Sequence, residues 1–156
     1  MGYHNQLMWH LPDDFRWFKH QTLGKPMIMG RNTMDSLGKP LKGRQNIALS
    51  STNQNIIDGF QHAFSMDEAL KLIPENTEEV MVIGGGSIFS QVLPIADVLY
   101  ITRIHHGFEH ADTYFPEWDE NEWKQVFMEP HGIDEKHKYA FDFIIYERVK
   151  NAELRD

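Results

Sequence analysis

Three short apolar runs, each followed by small or hydrogen-bonding residues, are the feature that most constrains how this chain folds. They lie at residues 26–30, 46–49 and 79–83. A continuous apolar run of this length is typical of a strand that is buried on both faces, as in a parallel sheet covered by helices. Helical patterns follow the first and the third run. This alternation predicts an α/β fold with a mostly parallel central sheet.

The C-terminal part of the chain has a different pattern, in which strands dominate. Residues 98–104 form a further predicted strand, and residues 123–128 and 139–149 are two longer strand patterns separated by a polar stretch. Two such strands favour an antiparallel pair. We therefore expect one domain over residues 1–150, in which helices flank the sheet and the antiparallel pair forms its edge. Residues 151–156 are expected to be a frayed tail.

The composition of the chain argues against several classes of function. Its 15 basic and 23 acidic residues give a net charge of −8, which disfavours non-specific binding to nucleic acid. The absence of cysteine excludes thiolate catalysis and agrees with a reducing cytoplasm. No apolar run near the N-terminus is long enough for a membrane span. His105, His106 and His110 lack the spacing of helical metal ligands, so we expect surface histidines and no metal site.

One predicted helix, over residues 11–22, carries a carboxylate on its apolar face. Pro12 suits the first turn of a helix, and Leu11, Asp14, Phe15 and Phe18 then share one face. A carboxylate in apolar surroundings is costly unless it has a partner. Two interpretations stay open at this point. Either the negative charge of Asp14 stabilises the N-terminal end of the helix, or Asp14 binds a ligand with paired N–H donors.

Three loops follow predicted strands and carry groups that can bind phosphate. Residues 30–33 combine a glycine and an arginine with the start of a helix, residues 50–51 are serines, and residues 84–87 are glycine-rich. Ligands of open α/β sheets bind beyond the carboxyl ends of the strands, where helix N-termini and arginine attract anions. The three loops together predict one polyphosphate ligand, although each alone is compatible with an ordinary turn. Arg44, on another loop, is either a solvated surface residue or binds a carboxylate.

These segments together resemble dihydrofolate reductases of the bacterial type. The resemblance extends from Gly2 to about Arg148, and the matching segments keep the family's order. They are residues 9–19, 29–33, 41–44, 49–51, 82–86, 99–102 and 112–116. The resemblance implies the α/β fold described above, with NADPH as the cofactor.

The resemblance also implies roles for particular residues. Asp14 would hold the pterin ring by accepting two hydrogen bonds, Thr102 would join Asp14 directly or through water, and Trp9 would help to order that water. The residues implied to contact the substrate are Phe15, Phe18, Leu37, Leu41, Arg44 and Ile83, of which Arg44 would pair with the glutamate carboxylate. The residues implied to contact NADPH are Gly30, Arg31, Asn32, Thr33, Ser50, Ser51, Gly84, Gly85, Gly86, Ser87, Ile88 and Phe89. In the family the first Gly–Gly peptide bond of this glycine turn is typically cis.

The implied reaction converts 7,8-dihydrofolate to tetrahydrofolate. A hydride passes from the nicotinamide to the pterin, and water delivers a proton to the adjacent ring nitrogen, favoured by the field of the Asp14 carboxylate. The resemblance further implies a monomer that binds antifolate-type small molecules.

The family begins with an apolar strand that lies in the middle of its sheet and precedes the position of Gly2. The chain starts at Met1 without it, so we expect that the sequence begins after this strand. Two alternatives follow from the sequence. One is a truncated, non-catalytic nucleotide-binding fragment, and the other is a related reductase of a pyrimidine-type riboflavin precursor.

Overall fold

The computed structural model describes residues 12–105 and 118–149. The predictions for Trp9, Leu11, His106, His110, residues 112–116 and the tail at 151–156 lie outside the described residues. The helices are α1 (Pro12–Thr22), α2 (Arg31–Leu37), α3 (Met66–Lys71) and α4 (Gly86–Val92), with a 3-10 helix at Glu120–Glu122. The strands are β1 (Met27–Gly30), β2 (Asn46–Leu49), β3 (Gln61–Ala63), β4 (Met81–Gly84), β5 (Val98–Ile104), β6 (Trp123–His131) and β7 (Phe141–Arg148).

The first four strands form a parallel sheet in the order β3-β2-β1-β4. Every residue of β1 and β2 is buried, as predicted from their continuous apolar runs. The carboxyl ends of β1 and β4 lie side by side, because Met29 pairs with Gly84. This register brings the two loops that follow these strands to one edge of the sheet.

The last three strands form an antiparallel sheet in the order β5-β7-β6. The α/β class with parallel and antiparallel strands is therefore confirmed. The sequence predicted one sheet with an antiparallel edge, whereas the described residues form two sheets. The physical reason lies in the backbone pairing: among the described residues β4 pairs with β1 and β5 pairs with β7, and no ladder joins β4 to β5.

Helix α1 packs against both sheets. The ring of Trp17 stacks on Phe143 of β7, with centroids 4.5 Å apart, and on Phe127 of β6 at 5.7 Å. The next residue, Phe18, packs against the core of the parallel sheet, which includes Met27 and Met29. Neighbouring side chains of one helix thus join the two sheets.

Local signals set the ends of several elements. Gly38 ends α2 in the left-handed conformation, with φ 74°, and its N–H bonds the carbonyl of Met34. The Ser65 hydroxyl accepts the N–H of Glu68 at the start of α3. The sequence Ser65–Glu68 has the residue types of a capping box, but the Glu68 carboxylate accepts the N–H of Phe64 rather than that of Ser65.

A polar contact also crosses from one sheet to the other. The Tyr100 hydroxyl of β5 donates to the Glu79 carboxylate, 3.2 Å away, just before β4. Lys25 pairs with the same carboxylate at 2.6 Å. Burial, followed by the Glu79 charge and hydrogen bond, raises the pKa of Tyr100 from 10.0 to about 12. The three side chains line a cleft of about 890 Å³ that also borders Arg44.

We expect this contact to weaken in alkali. Because the folded-state pKa of Tyr100 is raised to about 12, its contribution to stability is complete below the unfolded value of 10.0 and is lost as the pH rises towards 12. Urea unfolding of the wild type and Tyr100→Phe from pH 8 upwards measures this. The stability advantage of the wild type over Tyr100→Phe should shrink above pH 10. The difference in ultraviolet absorbance between the two folded proteins should show that the Tyr100 tyrosinate forms only near pH 12. An advantage that stays constant with pH would contradict this assignment.

Candidate active site

Asp14 and Thr102 meet between α1 and the antiparallel sheet. The Thr102 hydroxyl donates a hydrogen bond to Asp14 Oδ1 at 2.7 Å, although 88 residues separate the two in sequence. Both residues are partly buried. The resemblance implies a contact between Thr102 and Asp14, either directly or through water, and in the structure the contact is direct.

Four of the six residues implied to contact the substrate pack around one core cluster. These are Phe18, Leu37, Leu41 and Ile83, which border the buried residues of the parallel sheet. Phe15 is 41% exposed, because the buried side of α1 is centred on Trp17 and Phe18. Ile56 and Ile57, which were not predicted as site residues, border the same cluster. Two consecutive isoleucines in a polar stretch were the signal available for them.

Arg44, the sixth of these residues, lies beside the C-terminal end of α1. Its Nε donates to the Thr22 hydroxyl at 3.0 Å, and its two Nη atoms donate to the carbonyls of Lys19 and Lys42. A guanidinium has five N–H donors. Two of them are thus without an acceptor among the described residues, in an orientation fixed by the other three.

Glycines bring β1, β4 and α4 into close contact. A Cβ built on Gly30 would lie 3.0 Å from Ile88 Cγ1, so a larger residue would push α4 away. A Cβ on Gly84 would lie 3.4 Å from Thr33 Oγ1 and from the Phe89 ring, and Gly84 has φ 128°. The Gly84–Gly85 peptide bond is cis. The predicted residues of these two loops, including Thr33, are therefore brought together.

Arg31 and Ser50 also meet at this edge. Arg31 Nη1 donates to the Ser50 hydroxyl at 3.2 Å, and Nη2 donates to the carbonyl of Asn55 at 3.4 Å. The guanidinium therefore links the loops that follow β1 and β2. Three further predicted contact residues are exposed at the same ends of the strands, namely Asn32, Ser51 and Ser87.

Comparisons with known proteins agree with this geometry. The family model described as dihydrofolate reductase matches residues 1–148. The chain belongs to the dihydrofolate reductase family. It is 41% identical over 152 residues to the dihydrofolate reductase of Bacillus subtilis (strain 168), covering 97% of this chain and 89% of that protein. It is 42% identical over 150 residues to the dihydrofolate reductase type 3 of Salmonella typhimurium, covering 96% and 91%.

A solved structure supports the same family. The dihydrofolate reductase from Enterococcus faecalis, complexed with NADP(H) and RAB-propyl, superposes with a TM-score of 0.88 at 36% identity. The superposition covers 96% of this chain and 89% of that one. None of the relatives named here is a riboflavin-pathway reductase.

Residues 12–105 and 118–149 contain no group of three or more histidine, cysteine, aspartate or glutamate side chains able to hold a metal ion. No helix in these ranges is long and apolar enough to cross a membrane.

His137 is a buried residue that the sequence patterns did not mark as important. It is 2% exposed, and its Nε2 accepts the backbone N–H of Asp13 at 3.1 Å. Its Nδ1 lies 2.8 Å from Asp134 Oδ1. Since Nε2 accepts, the proton is assigned to Nδ1, which donates to the carboxylate. This hydrogen bond from His137 is the main reason that the pKa of Asp134 is lowered.

The His137 ring connects the start of α1 to the loop between β6 and β7 through its hydrogen bond with Asp13. Pro12 has no N–H, so the N–H of Asp13 is the first donor of the described helix. His137 satisfies it and packs against Phe141 at 5.2 Å between ring centroids. Asp14 is the next residue along the helix, so His137 helps to fix its position.

Removing this ring should destabilise the protein. His137→Ala leaves a partly buried N–H without its acceptor and opens a cavity beside Phe141, so we expect about 2–4 kcal/mol less stability in urea unfolding. His105→Ala is the matched control, because that histidine is half exposed and pairs with Asp142 on the surface. Its effect should stay within about 0.5 kcal/mol. Equal losses of unfolding free energy for the two variants would show that the hydrogen bond from Asp13 to His137 does not stabilise the protein more than a surface contact does.

Proposed function

We propose that this chain reduces 7,8-dihydrofolate to tetrahydrofolate with NADPH, and that Asp14 is its central catalytic residue. The observation that carries the proposal is the 2.7 Å hydrogen bond from Thr102 to Asp14. This carboxylate lies on the same helix as Phe18, which borders the apolar cluster where the proposed substrate residues meet. A flat aromatic ligand with paired N–H donors suits a carboxylate next to such a cluster.

Asp14 would bind the pterin by accepting paired N–H donors. A carboxylate can accept about four hydrogen bonds, so it can take these donors in addition to the Thr102 hydroxyl. Thr102 fixes the rotation of the carboxylate, because its own strand is held in register with β7. The charge of Asp14 would favour a proton on the bound ring, which is the change that accompanies hydride addition.

The edge formed by Arg31, Ser50, Thr33 and the glycine turn fits a dinucleotide with phosphates. Arg31 supplies a cation held by Ser50 at 3.2 Å. Gly84 and Gly85 leave free the space that a Cβ would occupy near Thr33, which allows a ligand close to the backbone. We propose that Arg31 and Ser50 hold the 2′-phosphate and that Thr33 and the glycine turn hold the pyrophosphate. When bound, NADPH supplies the hydride.

Arg44 would hold the other end of the substrate. Its two remaining N–H donors can bind a carboxylate as a pair. We propose that they bind the carboxylate of the glutamate tail, with Leu41 against the ring that precedes it. Antifolates with the same paired N–H donors would bind to the same residues.

The first test joins the activity to Asp14. The purified chain is mixed with NADPH and dihydrofolate, and the loss of NADPH absorbance is followed. We expect Asp14→Asn to lower kcat/KM by about 100-fold or more, equivalent to about 2.7 kcal/mol. Thermal stability should stay unchanged or rise, because a partly buried charge is removed.

Asp13→Asn is the matched control, since it makes the same change one residue earlier, where the carboxylate pairs with Arg16 on the surface. It should keep activity within about twofold. If Asp14→Asn kept full activity and lost only about 1 kcal/mol of stability, Asp14 would act only through its charge at the helix N-terminus. Absence of turnover by the wild type would contradict the proposed function itself.

The second test concerns the choice of cofactor. Arg31→Gln removes the cation proposed for the 2′-phosphate, so KM for NADPH should rise by about tenfold or more, while KM for NADH changes little. Arg16→Gln is the control, because its side chain is 70% exposed on α1. Equal effects of Arg31→Gln on both cofactors would place Arg31 away from the 2′-phosphate.

A further inference from the structure

Asn46 makes three hydrogen bonds to the loop that carries Leu41 and Arg44. It is the first residue of β2 and is 4% exposed. Its Oδ1 accepts the N–H of Leu41 at 3.1 Å, and its Nδ2 donates to the carbonyls of Leu41 and Arg44, each at 3.0 Å. Both N–H groups of the amide are therefore used, and one side chain closes the loop over residues 41–46.

The same loop is held from its other side by the end of α1. The carbonyl of Gly43 accepts the N–H of Gly24 at 3.1 Å. The Arg44 guanidinium donates to Thr22 and to the carbonyl of Lys19. Asn46 thus fixes the backbone of Arg44, while α1 fixes the guanidinium. Both contacts are needed to set the direction of the two remaining N–H donors.

We infer that Asn46 is a positioning residue for the carboxylate tail of the substrate. It touches no ligand, because it is buried beneath the loop. It acts by presenting the Arg44 donors and the Leu41 side chain in one arrangement. The inference rests on the role of Arg44 in the proposed function, and it adds that tail recognition depends on a buried amide of β2.

The shape and donors of this amide explain why substitution should matter. Alanine at this position leaves the N–H of Leu41 and two carbonyls without their partner inside the protein. The loop can then reach water only by moving outwards, and Arg44 moves with it. Asn46→Ser keeps one hydroxyl that can donate or accept, so it should preserve part of the arrangement.

The test compares two substrates of the full chain, namely dihydrofolate and a 6-methyl dihydropterin that lacks the tail. For Asn46→Ala we expect KM for dihydrofolate to rise about tenfold with kcat within about twofold, equivalent to about 1.4 kcal/mol of tail binding. kcat/KM for the tail-free substrate should stay within about twofold. Asn46→Ser should give an intermediate rise, and it takes the place of Asn46→Ala if that variant does not fold.

Two further variants separate positioning from a general loss of stability. In an Arg44→Ala background, Asn46→Ala should raise KM for dihydrofolate much less than it does in the wild type, because the Arg44 donors that it positions are gone. Ile144→Ala, a buried change in β7, should lower stability without altering the preference between the two substrates.

Equal losses on both substrates, or full additivity with Arg44→Ala, would overturn the role of Asn46 while leaving the proposed function intact. If the wild type turned over neither dihydrofolate nor the tail-free pterin, the proposed function itself would be overturned. The affinity for each ligand can also be measured without turnover, by titrating the protein with dihydrofolate or with the tail-free pterin and following its tryptophan fluorescence. The difference between the two affinities reports on recognition of the tail. An equal weakening of the two ligands by Asn46→Ala would overturn the inference there as well.

Discussion

The packing of α1 between two sheets is the constraint on which the rest of the structure depends. Trp17 stacks on the antiparallel sheet, and Phe18 packs on the core of the parallel sheet. Successive residues of a helix point about 100° apart, so one helix can serve two surfaces that meet at an angle. Asp14 lies one turn before these rings and therefore emerges where the two sheets adjoin, within reach of Thr102.

Both ends of α1 are held by side chains from distant parts of the chain. His137 accepts an N–H at its start, and Arg44 donates to the carbonyl of Lys19 and to Thr22 at its end. These partners match the charges of a helix, whose first N–H groups need acceptors and whose last carbonyls favour cations. With a rise of 1.5 Å per residue, the helix separates Asp14 from Thr22 by about 12 Å. It thereby sets the spacing between the carboxylate proposed for the pterin and the arginine proposed for the tail.

Features that depend on neighbouring residues could be predicted from the sequence. Pro12 marks the start of α1, Gly38 ends α2, and the apolar run at residues 46–49 coincides with β2. The resemblance to a known family extended this to pairs such as Asp14 and Thr102, which no local rule connects. Contacts over long distances were not predictable, because burial depends on which loop folds over which element. His137 is one of nine histidines, and nothing in its neighbourhood marks it as the acceptor for α1. Asn46 likewise looks like any polar residue at the start of a strand.

The end of β4 explains how the two proposed binding regions remain in register. Ile83 borders the apolar cluster that includes Phe18, whereas the next residue, Gly84, begins the turn that faces Thr33. Adjacent residues of one strand thus border the proposed substrate region and the proposed cofactor region. A peptide unit is nearly rigid, so a shift on one side is transmitted to the other. Because β4 pairs with β1 and α1 packs on the same core, the separation between the proposed substrate and cofactor regions depends on contacts within the parallel sheet. The position of Asp14 relative to that sheet depends on α1.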